Sequence, residues 1–202
     1  MLKQISLLIL CAVAIVLFAT PVHACTSAVV SGKVTLDGRP LLWKNRDTDF
    51  MRNHVDYVKG ERYDFIAVVN SANAYLKEAW MGTNSAGFAL MNTQSYNLVD
   101  VKGDEERGAA NGRVIYRALE VCATVEDFCH FLDTISKPSD IEANFGVIDA
   151  QGGAAMFEVD YYKYVMYDAN NPKDAPYGYI ARTNFSFAGK VNEGAGYVRY
   201  ME

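Results

Sequence analysis

The sequence predicts an α+β fold, with two helices packed on one face of a largely antiparallel sheet. Three observations predict it. Short apolar segments bounded by Gly, Asn and Asp turn residues occur on both sides of the chain's middle. Between them, Val114, Ile115, Ala118, Leu119 and Cys122 recur at helical spacing. The elements therefore run strands, then helices, then strands, an order that segregates helices from an antiparallel sheet.

Residues 1–24 read as an export leader. Lys3 supplies a positive start, and "ISLLILCAVAIVLFA" is an apolar run too short and wrongly flanked for a membrane span. Val22-His23-Ala24 offers small-residue cleavage spacing, so the mature chain would begin at Cys25. Residues 25–202 are long enough for one domain with its own core. No later segment is apolar enough to cross a membrane. The expected location is exported, periplasmic or extracellular.

"CTSAVVS" and "PLLWKN" predict a hairpin, with Asp37-Gly38 as its turn signal. "YDFIAVVN" (63–70) is a buried-strand pattern, and 51–62 before it reads as a loop. "KEAWMG" and "FALMNTQ" form a second hairpin around Asn84 to Gly87, and 101–112 is a polar loop. After the first helix, Thr124 with Asp127 resembles a helix start, and Pro138 stops that second helix. "NFGVIDA" and "AAMFEVD" flank "QGG" as a third hairpin, and "KYVMYD" and "GYIARTN" supply further strands.

Nineteen Lys and Arg against 24 Asp and Glu give a formal net charge of −5, with no basic run, which argues against nucleic acid as a partner. The 13 Tyr and 10 Phe point to a packed domain with aromatic pocket walls. Cys11 leaves with the leader. The three thiols that remain, Cys25, Cys122 and Cys129, are an odd number, so at least one is free or modified. Cys122 and Cys129 read either as a disulfide or as two buried small apolar residues. No Cys/His pattern suggests zinc, and the chemistry below requires no metal or organic cofactor.

Cleavage after Ala24 would give Cys25 a thiol and a free α-amine on one residue. The thiolate is the nucleophile, and an α-amine with a pKa of about 7.7–8.0 is partly neutral at pH 7 and can take the thiol proton. Such a site also needs a carboxylate for the amine, a cation for the thiolate and donors for the oxyanion. "WKNRDTDF" (43–50) holds Lys44, Arg46, Asp47 and Asp49 at the end of the first hairpin. "ALMNTQSYN" presents Asn92 and Gln94, and "ARTNFSFAG" presents Asn184.

"ACTSAVVSGKVTLDGRPLLWKNRD" resembles the start of the Ntn-hydrolase group that contains choloylglycine hydrolases, penicillin V acylases and peptidase C45-like acyltransferases. "GTNSAGFALMNTQ", "FGVIDAQGGAAMFEVD", "RTNFSF" and "GYVRY" are similar to further segments of that group, in the same order. The resemblance implies an αββα sandwich and hydrolysis of a linear amide through an acyl-enzyme on Cys25. Asp47 would hold the amine, and Lys44 or Arg46 would favour the thiolate. Asn92, or in its place Gln94 or Thr93, would donate to the oxyanion with Asn184, and Arg199 would support the site. Members of the group run considerably further than Glu202, which implies a sandwich incomplete at the C-terminus. The partner implied is a small amide with an apolar acyl group, such as a bile salt, a penicillin V-like amide or an N-acyl amino acid, with specificity in loops 51–62 and 94–112 that carry Tyr57 and Tyr96. Oligomeric state stays open, a homo-oligomer included.

Three rival readings differ in what they do with Cys25. Lipidation would block its amine, although His23 is atypical of a lipobox. A Cys/His hydrolase would need His54 or His130 as base, and neither lies in a motif for it. A binding module on the same scaffold would need no chemistry.

Overall fold

The computed structural model describes residues 25–72, 74–99, 108–190, 192 and 194–202. The predicted leader therefore lies outside the described residues, as does most of the predicted polar loop 101–112. Strands β1 (Thr26–Val30), β2 (Leu41–Asn45) and β10 (Tyr179–Arg182) form a small antiparallel sheet in the order β10-β1-β2. A seven-stranded sheet runs in simple sequence order, from β3 (Asn53–Val58) and β4 (Phe65–Asn70) through β5 (Met81–Asn84) and β6 (Ala89–Gln94). It continues with β7 (Ala143–Ile148), β8 (Ala154–Val159) and β9 (Tyr164–Asp168). Every pairing in both sheets is antiparallel.

Helices α1 (Asn111–Val121) and α2 (Val125–Thr134) cover one face of the large sheet. Val114, Ile115, Ala118 and Leu119 of α1 are buried there, as are Phe128 and Leu132 of α2. Phe128 meets Phe157 edge-on at 5.1 Å and Phe145 at 5.9 Å between ring centres. Burial of each such side chain stabilises by about 1.5–3 kcal/mol. Thr124 and Asp127 form a reciprocal capping box, with Asp127 N–H donating to Thr124 Oγ1 at 3.0 Å and Thr124 N–H to Asp127 Oδ2 at 3.1 Å.

Two turn residues tie hairpins to helix ends. Asn84 accepts from Ala86 and Phe88 N–H inside its own turn and donates to the Leu119 and Cys122 carbonyls at the α1 C-terminus. Asp149 accepts from Gln151 and Gly153 in its turn and from Val125 N–H, the first residue of α2. The second and third hairpins thus set where the helices sit.

The other face of the large sheet packs on the small sheet. Val29, Met91, Met156 and Ile180 are buried between them. Gly146 permits this approach, since a Cβ there would run into Met91, Val29 and Leu42. The outer face of the small sheet is open among the described residues, with Leu41, Trp43 and Tyr179 each about half exposed. The described chain is thus helix on sheet on sheet, an α+β architecture with antiparallel sheets.

Three local expectations change. Residues 53–58 form an edge strand, β3, inside the stretch read as a loop. His54-Val55-Asp56-Tyr57 alternates polar and apolar residues, and β4 offers the strand a free edge across six paired positions. "GYVRY" lies in a third helix, α3 (Gly194–Met201). Helix α1 begins at Asn111, where Asn111 Nδ2 donates to the Glu142 carbonyl and Oδ1 accepts from Glu142 N–H. Cys122 and Cys129 are free thiols, Cys122 buried and Cys129 half-buried beside Met166.

Candidate active site

Thr26 pairs with Asn45 at the end of β1 and β2, which sets half-buried Cys25 against the chain leaving β2. The Cys25 thiol lies 3.6 Å from the Asp47 carbonyl oxygen. Both neighbouring cations interact electrostatically with this thiol. Lys44 points from β2 toward the large sheet and donates to the Trp80 carbonyl at 2.9 Å and to Asn92 Oδ1 at 3.2 Å. Burial of its ammonium pulls the Lys44 pKa down to about 8, partly opposed by Cys25, and Arg46 lowers it further. Arg46 spans to the large sheet, donating to Asn53 Oδ1 and, at 2.7 Å, to Asn70 Oδ1, with its guanidinium 5.1 Å over the Trp80 ring. Burial lowers the Arg46 pKa as well.

Asn92, Thr93 and Gln94 end β6 beside this group. Asn92 is buried, and Lys44 holds its amide oxygen, which fixes the side-chain orientation. Thr93 donates to the Thr183 carbonyl at 2.9 Å. The Gln94 carbonyl accepts from Asn184 Nδ2 at 2.8 Å. Asn184 is buried, and Arg199 of α3 donates to its Oδ1 at 3.1 Å. Each of the two asparagines therefore has a cation on its amide oxygen, which polarises the amide and strengthens its N–H donors.

The turn that carries Asn184 is held by residues the sequence reading did not single out. Arg182 and Glu158 form a buried ion pair at 2.6 Å, with side chains 2% and 0% exposed. The Arg182 guanidinium stacks 4.0 Å from the Phe187 ring centre and 5.0 Å from that of Tyr167. Glu158 also accepts from Phe187 N–H at 3.0 Å and Ala188 N–H at 2.7 Å. Asn144 Nδ2 contacts Thr93 Oγ1 and the Thr183 and Phe185 carbonyls, each at 3.2 Å, while its Oδ1 accepts from Ser186. The available signal was the polar residue inside an apolar strand, Asn144 in "ANFGVI" and Glu158 in "AAMFEV". A buried polar side chain at such a position needs a partner.

Helix α3 closes over the same turn. Phe185 meets Tyr197 at 5.1 Å, Phe187 meets Tyr200 at 5.0 Å, and Thr183 Oγ1 donates to the Gly196 carbonyl at 2.6 Å. A Cβ on Gly196 would collide with the Asn184 backbone.

The structure thus gathers the predicted residues at one end of the two-sheet sandwich. Cys25, Lys44, Arg46 and Asp47 form one group, Asn184 and Arg199 another, and the end of β6 links them. Asp49 is exposed near this end. His54 is exposed and bonded to Ser71 Oγ at 3.0 Å, and His130 is exposed on α2. Among the described residues, no group of three or more His, Cys, Asp or Glu is placed to hold a metal ion, and no helix is long and apolar enough to cross a membrane.

The fold resembles solved amide hydrolases. A conjugated bile acid hydrolase from Clostridium perfringens superposes with a TM-score of 0.51 at 15% identity, over 71% of this chain and 50% of that one. An N-acylethanolamine-hydrolyzing acid amidase ortholog from Caenorhabditis elegans gives 0.58 at 15% identity, over 80% of this chain and 70% of that one. The chain thus spans half the length of the bile acid hydrolase it matches. No curated protein matches the sequence. The profile of the acyl-coenzyme A:6-aminopenicillanic acid acyl-transferase family matches residues 35–198, most of the chain. This match over most of the chain, on the two-sheet fold described above, places the chain in that family, within the Ntn-hydrolase group.

Proposed function

We propose that the protein is an exported amidase that hydrolyses a linear C–N amide bond with Cys25 as an N-terminal nucleophile. The observation that carries the reading is the position of Cys25. It opens the central strand of the small sheet, within the field of both Lys44 and Arg46 and beside the Asp47 turn.

Removal of residues 1–24 would free the α-amine of Cys25. The amine takes the thiol proton, and the two cations favour the thiolate. The thiolate sulfur attacks the amide carbonyl carbon, and Asn92 and Asn184 donate to the resulting oxyanion. Collapse breaks the C–N bond, and the α-ammonium returns its proton to the departing amine. Water, deprotonated by the same amine, then attacks the thioester and releases the acid and the free thiol. Asp47 orients the amine, and Arg199 holds Asn184. The substrate is a small amide with an apolar acyl group.

The test is a panel of amides offered to the processed protein, to Cys25→Ser, and to a variant with one residue added before Cys25. Hydrolysis by the processed protein alone, with trapping of the acyl thioester, is the expected result. Full activity in the extended variant would refute the role of the amine. Mass spectrometry of the mature N-terminus would refute the reading if it found a lipid on Cys25.

A further inference from the structure

The two edges of the seven-stranded sheet differ. At β9 the outward Asp168 N–H donates to Asp174 Oδ2 at 3.1 Å, so a loop carboxylate closes part of that edge. Strand β3, at the other edge, runs six residues without proline or bulge, in unbroken register with β4. Ser71 N–H donates to the Arg52 carbonyl, which fixes the alternation of bonding groups along β3. Those of His54 and Asp56 face β4, and those of Asn53, Val55 and Tyr57 face outward. Among the described residues, no hydrogen bond closes the backbone N–H and C=O groups of these three. The small sheet packs over β6 and β7, and α1 over β4, β5 and β6, so β3 projects past both covering layers. Such an edge is a template for another strand.

The side chains of β3 say which strand fits. Set β3 antiparallel to β3 of a second copy, with Val55 at the centre. Val55 then meets the partner's Val55, and Asn53 meets the partner's Tyr57, so outward groups face outward groups and exchange both backbone bonds. Between these pairs His54 stands opposite the partner's Asp56, and symmetry repeats the pair. This is the position without backbone bonds, where Cα atoms lie about 4.5 Å apart and side chains are closest. His54 Nδ1 is bonded to Ser71 Oγ at 3.0 Å, which leaves Nε2 for a carboxylate. Arg52 falls opposite the partner's Val58 and Met51 opposite the partner's Lys59, so no like charges meet. Moving the register by two residues sets Asp56 against the partner's Asp56 in one direction and His54 against the partner's His54 in the other. Charges that ordinarily guard an edge are here complementary to their own copy. Val55 and Tyr57, each 64% exposed, share one face of the strand and would cover one another across the junction.

We propose that β3 is a homodimer edge, at which two copies join in the Val55-centred register to make one continuous sheet. The two-fold axis stands normal to the sheet at Val55, so both Cys25 sites lie on the same side of the dimer. The partner's Tyr57 stands beside Asn53, whose amide oxygen accepts from Arg46, so each copy borders the other's site. One strand pair is a small interface, which makes the dimer reversible and concentration-dependent.

Sedimentation velocity over a concentration series tests this on the processed protein, on His54→Asp, on the double variant His54→Asp with Asp56→His, and on Val55→Pro. A thermal scan of each confirms folding. The unmodified protein is expected to pass from monomer to dimer as concentration rises. His54→Asp opposes like charges twice and is expected to weaken association by at least about tenfold. The double variant restores opposite charges in the same register and is expected to return association to within about threefold of the unmodified protein. Val55→Pro removes an outward N–H, spares the bonds to β4 and is expected to abolish the dimer. A protein that stays monomeric throughout overturns the proposal. So does association unchanged in either single variant, or a double variant no better than His54→Asp. If Val55→Pro does not fold, the charge variants decide alone: restoration supports the edge and its absence overturns it.

Discussion

Glu158→Gln is a sharp test of how the asparagine turn is held. The substitution keeps the shape of the side chain and removes its charge. In the native structure Glu158 is fully buried and receives three donors, the Arg182 guanidinium at 2.6 Å and the backbone N–H groups of Phe187 and Ala188. A glutamine can satisfy one side of this arrangement with its oxygen. Its amide nitrogen then faces a donor, and Arg182 is left as an uncompensated buried cation. Breaking a buried pair from one side costs about 3–5 kcal/mol. For a domain of this size each kcal/mol shifts Tm by about 2–4 °C, so Tm should fall by roughly 6–20 °C. Urea denaturation of the processed protein measures the free energy, and a thermal scan measures Tm. The double replacement Glu158→Met with Arg182→Met should recover most of the loss, because the pair is removed whole. A loss below about 1 kcal/mol in Glu158→Gln, or a double variant worse than the single, would refute the argument that the pair is electrostatically closed.

Further outcomes follow from the site. Lys44 titrates near 8 in the fold and at 10.5 when free, so the unfolded chain binds more protons between those values. Its contribution to stability should therefore rise with pH above about 8, while kcat/KM falls as the cation is lost; in Lys44→Arg that falling limb should vanish, because arginine stays charged. Burial pushes the Cys122 thiol up to about 12, so a disulfide reagent at pH 8 should modify Cys25 of the native processed protein well before Cys122, and should reach Cys122 only on unfolding. Gly196→Ala should push α3 off the Asn184 backbone and, if Asn184 is the oxyanion donor proposed above, cut kcat by more than tenfold with a smaller change in KM.

Much of this was legible locally. The hairpins at 26–45, 81–94 and 143–159 follow from alternation and turn residues, and the Thr124–Asp127 cap follows from spacing alone. Cys25, Lys44, Arg46 and Asp47 are brought together by a single hairpin, so their proximity could be read from one turn. What escaped depends on long-range pairing. Strand β3 shows its alternation in the sequence, but its charged and aromatic residues suit an edge that only β4 supplies. Glu158 finds Arg182 across 24 residues, and Asn144 finds Ser186 across 42. Nothing near either residue names its partner. The helical state of "GYVRY" depends on aromatic contacts with Phe185 and Phe187, which local propensity does not encode.

The ties on the 183–188 turn have a consequence for how the enzyme would fail. The Thr183 and Phe185 carbonyls and the Phe187 and Ala188 N–H groups are bonded by side chains from β6, β7 and β8, central strands and the last places to open. The segment that presents Asn184 lies outside every helix and strand, yet its ties place it in the same cooperative unit as the core. The amide hydrogens of Phe187 and Ala188 should exchange at the rate of whole-domain opening. Heat should then abolish the proposed hydrolysis at the melting transition, with no earlier stage in which an intact fold has lost Asn184, the proposed oxyanion donor.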